Sequence, residues 1–315
     1  MTYALRKLYH PEFYQGPSRP ARYFEGWYYK AVINHRAFAL IPGVSRASDD
    51  PHAFIQYIDG AAGKSWYHRF PLETFSFRRD VFEISIGENR FGLDGYQVTL
   101  PEMSCDLHIS DATGWPTSLF SPGTMGWYSF VPFMECRHGI IVMDAALTGT
   151  LNGTQVENGR FYLEKDYGRS FPNAWVWLQS NSFESLGTSV TCSIANVPFV
   201  GGAFSGFLAA FLHDGVLHRF TTYTGARLTA LTATQAQVSI VLSDPRKRLE
   251  ITATREDGAV LAAPANGVMS GRVSETIQSR VEVRFAVNGT VVFEGAGDRA
   301  GLEVVSPETL VDSDK

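Results

Sequence analysis

Apolar side chains recur along this chain at every second position, in short runs broken by polar turn residues. Runs such as AQVSIVLSD, RLEITATRE, SRVEVRFAV and GTVVFEGAG alternate as half-buried strands do, because successive strand side chains point to opposite faces. The turn signals IDG, GEN, LNG, HDG, REDG and VNG separate them. The Asn-Gly-Thr triplets at Asn152 and Asn288 match a glycosylation acceptor, but Asn-Gly is also the strongest two-residue hairpin signal, and both are read as turns. No amphipathic helix of three turns stands out, although SFPNAW offers a short helical turn. The pattern predicts an all-β protein whose many antiparallel strands hide their edges in barrels or sandwiches. At roughly 150 residues per small barrel, the length predicts two. They are expected to span residues 1–150 and 151–315, divided at the Asn152-Gly153 turn to within about 15 residues.

Composition narrows the function classes. Hydrophobic residues make up 44% of the 315 positions, ample for a large buried core. A formal net charge of −5 and a pI near 5.9 supply no basic stripe for a phosphate backbone, so nucleic acid is not an expected partner. Cys105, Cys136 and Cys192 are far apart and lack Cys-x-x-Cys spacing, which implies neither a disulfide framework nor a zinc site. The opening MTYALRKLYHPEFYQGPSRP carries charges and prolines where a signal peptide needs an apolar stretch, so a cytoplasmic location is expected.

Three segments crowd aromatic and charged residues together: YFEGWYYK (Tyr23 to Lys30), GWYSFVPFMECRHG (Gly126 to Gly139) and RFYLEKDYGRSFPNAWVWLQSN (Arg160 to Asn181). Together they resemble the tocopherol cyclase family. That family's pattern runs Phe-Glu-Gly-Trp-Tyr, then Ser-Phe-Val-Pro-Phe-Met-Glu-Cys with a following His-Gly, then Glu-Lys-(Asp/Asn)-(Tyr/Trp)-Gly and Phe-Pro-x-x-Trp-x-Trp. The blocks stand here in the same order, between Tyr23 and Phe183. The resemblance implies two tandem lipocalin-like antiparallel β-barrels and, as in plant and cyanobacterial members, cyclisation of a prenylated benzoquinol to a chromanol. Plant members read Asn-Trp-Gly where this chain has Asp166-Tyr167-Gly168.

Adding a phenol oxygen across a prenyl double bond requires protonation of the alkene to a tertiary carbocation, which the oxygen captures. A carboxyl in apolar surroundings stays protonated and serves as the acid. Aromatic faces stabilise the cation by about 0.5–2 kcal/mol each where water is excluded. Alternation sorts the candidates. Tyr162, Glu164 and Asp166 share one face of their strand, against Phe161, Leu163, Lys165 and Tyr167 on the other. Glu25, Trp27 and Tyr29 share a face, as do Trp175, Trp177, Gln179 and Asn181. Glu135 lies with Phe133 and Arg137, opposite Met134, Cys136 and His138. The expected proton donors are Glu164 and Asp166, followed by Glu135 and Glu25. The expected substrate-binding residues are Trp27, Tyr29, Trp127, Tyr128, Phe133, His138, Tyr162, Trp175, Trp177, Gln179 and Asn181.

A structural reading stands beside this one. In lipocalin-like barrels a Trp on the first strand closes one end with an Arg or Lys packed on it, a role open to Trp27, Trp175 and Trp177. Lys165 and Arg169 are placed to pair with Glu164 and Asp166 as a salt-bridge network. Cys136 and His138 share a face suited to a metal but lack further His or Cys ligands, so neither metal nor cofactor is expected. The run from Ser185 to Leu212 has no charged residue, and its Pro and paired Gly argue against a membrane-spanning helix. It is either a buried strand pair or an apolar lip carrying Phe199, Val200, Phe204 and Phe207, which admits a lipophilic tail or makes weak peripheral membrane contact. The expected function is a cofactor-independent cyclase of a hydrophobic substrate with an isoprenoid tail. A non-catalytic carrier and an isoprenoid hydratase are the alternatives.

Overall fold

The computed structural model describes residues 3–19, 21–118, 121–130, 134–199 and 202–310. Phe133, Val200 and the Phe199 side chain lie outside the described residues. Apart from one seven-residue helix (α1, Tyr3–Tyr9) and 3-10 turns, the described elements are strands. The alternating pattern therefore becomes sheet throughout, grouped into two compact units.

The first unit comprises Met1–Asp59, Ser65–Phe171 and Leu261–Arg272. Its strands are β1 (Phe24–Ile33), β2 (Arg36–Ser45), β3 (His52–Asp59), β4 (Lys64–Phe70), β5 (Phe75–Phe77) and β6 (Glu83–Ile86). They continue with β7 (Asn89–Gly92), β8 (Gly95–Thr99), β9 (Ser104–Gly114), β10 (Cys136–Leu151) and β11 (Thr154–Gly168). The sheet order is β4-β3-β2-β1-β11-β10-β9-β8-β7-β6-β5. The sheet curls, with β3 against β6, around a core that includes Trp27, Tyr29, Ile55, Phe91, Tyr96 and Phe161. Its hydrogen-bonded ladder ends at β4 and β5.

β1 meets β11 antiparallel from Phe24 opposite Gly168 to Val32 opposite Arg160, so β11 belongs to the first unit. The division falls between Phe171 and Pro172 and not near Asn152. Asn152 and Gly153 take φ of 50° and 74°, the left-handed conformation of a tight hairpin turn. Such a turn holds its two strands side by side, which is why it cannot mark the boundary. Asn288 and Gly289 repeat the arrangement at 49° and 81°. A later hairpin returns to the first unit: the Gln56 side chain bonds both backbone groups of Ala262, and the Ser45 hydroxyl donates to the Gly267 carbonyl.

The second unit holds β12 (Trp175–Ser180), β13 (Ser189–Phe199), β14 (Gly202–His213), β15 (Val216–Thr221) and β16 (Arg227–Ala233). It also holds β17 (Gln237–Ser243), β18 (Lys247–Thr254), most of β20 (Val268–Val287) and β21 (Thr290–Val305), while β19 (Ala259–Ala265) pairs with β20. The order β15-β14-β13-β12-β21-β20-β18-β17-β16 surrounds a core with Val176, Leu178, Ile194, Phe211, Ile240 and Phe285. The uncharged Ser185 to Leu212 run supplies the β13–β14 hairpin. Phe207, a candidate for the apolar lip, is buried in this core because its strand position faces inward, as the strand-pair alternative has it; Phe204 is half-buried. SFPNAW is not helical but lies in the extended and bent link before β12. No described helix is long and apolar enough to cross a membrane.

Candidate active site

The two faces of β11 carry different chemistry. On the core side Lys165 is fully buried, with Nζ 2.5 Å from Glu25 Oε1. It donates to the carbonyls of Pro11 (2.8 Å) and Phe13 (2.6 Å) and lies 4.8 Å from the centre of the Trp27 ring. Burial pulls the Lys165 ammonium down from its ordinary value, and the Glu25 carboxylate opposes that shift. Glu25 also accepts from the Tyr23 hydroxyl (2.6 Å) and from the backbone N–H groups of Gln15 (2.8 Å) and Gly16 (3.1 Å). Glu25 is thereby tied into the core face by one ion pair and three hydrogen bonds.

Trp27 belongs to the same plug. Its indole N–H donates to the Glu12 carbonyl (2.7 Å), which ties the N-terminal segment across the sheet's interior. Tyr29 is likewise core, its hydroxyl donating to the Gly92 carbonyl (3.1 Å). The structural reading thus describes Trp27 and Lys165, with one correction. Lys165 pairs with Glu25 and not with Glu164, since odd and even positions of β11 face opposite ways. Arg169 bonds Asn266 (2.7 Å).

On the opposite face Tyr162, Glu164 and Asp166 form a row, as their spacing predicts. Neighbouring strands complete it by register: Asp166 stands between Gly26 and His138, Glu164 between Tyr28 and Ile140, and Tyr162 beside Lys30. The Tyr162 hydroxyl donates to Glu164 Oε2 at 2.6 Å. His138 Nε2 lies 3.7 Å from that same oxygen, and His138 Nδ1 lies 3.1 Å from Asp166 Oδ1. Cys136, two residues before His138, donates its thiol to Asp166 Oδ1 at 3.7 Å. Burial and the Asp166 charge push the Cys136 thiol well up, so it acts as a donor and not as a nucleophile. Tyr162 and Glu164 are buried, while Asp166 and His138 are half-buried. The result is a line of two carboxyls flanking one imidazole, which is hydrogen-bonded to Asp166 and 3.7 Å from Glu164, with a phenol bonded to the inner carboxyl.

The other expected residues divide. Glu135 is exposed; its carbonyl accepts from the Arg169 N–H at 2.8 Å while its carboxyl meets solvent. Trp127 is 51% exposed and stacks on Tyr128 at 4.2 Å within a 3-10 turn, Gly126–Phe130. In the second unit Trp175, Trp177 and Gln179 share the face of β12 turned away from its core, with buried Asn181 following. Trp175 donates its indole N–H to Glu303 at 2.7 Å. Glu303 is paired across the ladder with Glu275, which is buried. Neither carboxyl is among the candidate residues singled out from the sequence. Lys30, fully buried beside Tyr162, was also missed. Its alternation with Gly26 and Tyr28 was the available signal.

His138, Glu164 and Asp166 offer donor atoms within 4.8 Å of one another, and an imidazole with two carboxylates is a donor set a divalent cation accepts. The spacing of His and Cys in the sequence does not reveal this set, because its other members are carboxylates two residues apart on the next strand.

Several known proteins share this chain's sequence or fold. The tocopherol cyclase-like family model matches residues 92–306. A protein assigned as chloroplastic tocopherol cyclase in Oryza sativa subsp. japonica is 27% identical over 325 aligned positions, covering 83% of this chain and 68% of its own length. A chloroplastic tocopherol cyclase of Zea mays is 32% identical over 110 positions, covering 32% of this chain and 23% of its own. Among solved structures, CghA superposes with a TM-score of 0.58 at 12% identity, covering 91% of this chain and 89% of its own. A protein assigned as AttH from Nitrosomonas europaea gives 0.51 at 13%, covering 92% and 97%. The family match takes in β10 and β11 and hence the whole His138–Glu164–Asp166 line, and this chain belongs to the tocopherol cyclase-like family.

Proposed function

We propose that the protein is a cofactor-independent cyclase that protonates a prenyl double bond and closes an oxygen ring on a prenylated quinol. The observation that carries this reading is the line Tyr162–Glu164–His138–Asp166, in a member of a family whose relatives include tocopherol cyclases. With Nδ1–H donated to Asp166, His138 presents Nε2 as an acceptor. Glu164 transfers its carboxyl proton to the alkene, forming the C–H bond and leaving a tertiary cation. The ring hydroxyl oxygen captures that cation to form the C–O bond, and its proton passes to His138 Nε2. The imidazolium returns the proton across 3.7 Å to Glu164. No atom is gained or lost overall, so the reaction is an isomerisation that needs no redox partner. The Tyr162 hydroxyl orients Glu164, and Asp166 selects the tautomer of His138.

Incubation of the protein with a prenylated benzoquinol in D2O tests the reading. One deuterium is expected on the carbon that accepts the proton, and the product has the mass of the cyclised isomer. Addition of water in place of ring closure points to the hydratase, and binding without turnover points to the carrier. Turnover is expected to survive exhaustive dialysis against EDTA. A loss restored by a divalent cation assigns the His138–Glu164–Asp166 set to a metal.

A further inference from the structure

The row that carries the proposed proton transfer is also a set of metal donors. Among the described residues, His138, Glu164 and Asp166 are the one group of three or more His, Cys, Asp or Glu side chains whose ligand atoms all lie within 4.8 Å of one another. Zinc holds a His nitrogen or a carboxylate oxygen at about 2.0–2.2 Å, which in tetrahedral geometry puts neighbouring donors about 3.3 Å apart. The 3.7 Å from His138 Nε2 to Glu164 Oε2 is close to that spacing. Strand register fixes the scaffold: Asp166 pairs directly with His138 across β10 and β11, and Glu164, two positions along β11, pairs with Ile140. Both carboxylates already accept outer hydrogen bonds of the kind that orient metal ligands, Glu164 from the Tyr162 hydroxyl (2.6 Å) and Asp166 from the Cys136 thiol (3.7 Å). The Glu164 side chain is 5% exposed and that of Asp166 26%, so the set is sheltered at one end and open to an arriving ion at the other.

One imidazole nitrogen and two carboxylate oxygens suit zinc and its neighbours better than magnesium, which prefers oxygen donors, an octahedral sphere and several retained waters. Three protein ligands leave a fourth position for water. An ion bound there holds the His138 lone pair and the Glu164 oxygen that the proposed proton transfer uses, so the relay and the metal cannot occupy the row together. We propose that His138, Glu164 and Asp166 form an inhibitory site for a divalent cation of the zinc class, whose binding switches the proton relay off. The inhibition rests on the cyclase reading, whereas the site rests on the geometry of the three side chains.

Cobalt, which takes zinc sites and reports its coordination by visible absorption, is the probe. Full-length protein, stripped with EDTA and dialysed free of it, is expected to bind one Co2+ with the strong bands of four- or five-coordinate cobalt. Zn2+ abolishes those bands by displacement and Mg2+ leaves them unchanged. His138→Asn and Asp166→Asn are each expected to weaken binding by about tenfold or more, while His108→Gln, at an exposed histidine of β9, leaves it unaltered. Asp166 is half-buried, so its variant remains informative if His138→Asn lowers the melting temperature. Turnover of a prenylated quinol is expected to fall in proportion to the fraction of protein loaded and to return with EDTA. The weak spectrum of six-coordinate aqueous cobalt, or an affinity unchanged in both variants, overturns the site. Turnover undiminished in fully loaded protein, or raised by the cation, overturns the inhibition. The two readings fail separately. A parent that binds Co2+ through His138 and Asp166 yet never cyclises when metal-free keeps the site and removes the cyclase; a parent that cyclises and binds no Co2+ keeps the cyclase and removes the site.

Discussion

The two faces of β11 show that the same ingredients, a carboxyl, a cation and aromatic rings, can serve structure or chemistry according to how fully the carboxyl is satisfied. On the core face Glu25 receives an ammonium, a phenol and two backbone N–H groups, and its partner Lys165 receives carbonyls and a ring. Both members of the pair are bonded several times over, so the ion pair acts as a pin. On the opposite face Glu164 and Asp166 flank one imidazole, and the Tyr162 phenol and the Cys136 thiol donate to them. In the proposed mechanism a proton moves along that line, whereas moving a group on the core face would leave a buried charge.

The contrast breaks first at the carboxyls. Glu164→Gln is expected to lower turnover of a prenylated quinol about 10²–10⁴-fold, the range of general acid catalysis, with the melting temperature unchanged within a few degrees. Equal turnover by parent and variant would remove Glu164 as the acid and direct attention to Asp166. The reverse signature is expected across the sheet. Lys165→Met leaves Glu25 buried without its cation and costs about 3–5 kcal/mol, seen in chemical denaturation as a lower midpoint. If Lys165→Met unfolds no more easily than the parent while turnover vanishes, the two faces have been assigned the wrong way round.

A smaller effect sharpens the comparison. Tyr162→Phe removes the 2.6 Å hydrogen bond to Glu164, and a bond of this kind contributes about 1.5–3 kcal/mol. Turnover is expected to fall by about tenfold or more, with its pH profile displaced. A pure stability loss with an unmoved profile would make Tyr162 a packing residue.

The smallest effect concerns His52, which lies outside both faces. Its Nε2 meets the Tyr67 hydroxyl at 2.6 Å, and burial holds the ring below its ordinary value of 6.5. The folded state therefore binds the proton less readily than the unfolded chain. The stability this confers is fully present above about pH 6.5 and is lost as the pH falls through the folded-state value. His52→Gln is expected to flatten that acid loss without altering the pH profile of turnover, and denaturation midpoints taken across the range check it. A shift of the turnover profile in this variant would couple His52 to the row on β11.

Legibility in the sequence follows the range of the forces involved. The strands, the Asn-Gly hairpins and the grouping of Tyr162 with Glu164 and Asp166 depend on neighbours one or two positions away, and all could be read from alternation. The same alternation separated Lys165 from Glu164, yet it left open which partner each would take. The division at Phe171, beyond the expected one, arose because β11 closes onto β1 across more than a hundred residues of sequence. The burial of Phe207 was similarly invisible, because an uncharged run is compatible with either a core or a surface and only packing decides between them.

What the sequence determined by itself is the class of fold, the family and the faces on which side chains stand, since pleat geometry assigns those locally. Tertiary structure decided which groups each face gathers. The N-terminal segment, folded back over Trp27, brought carbonyls to Lys165 and N–H groups to Glu25, so that the most conspicuous charged residue of the first motif became a strut. Register between β10 and β11 set His138 beside Asp166 and made a line of groups that, as separate stretches of sequence, have no reason to share a proton. The physical reason is that ionisation and proton transfer depend on distances of a few ångströms between atoms far apart in sequence, which strand pairing sets and composition does not.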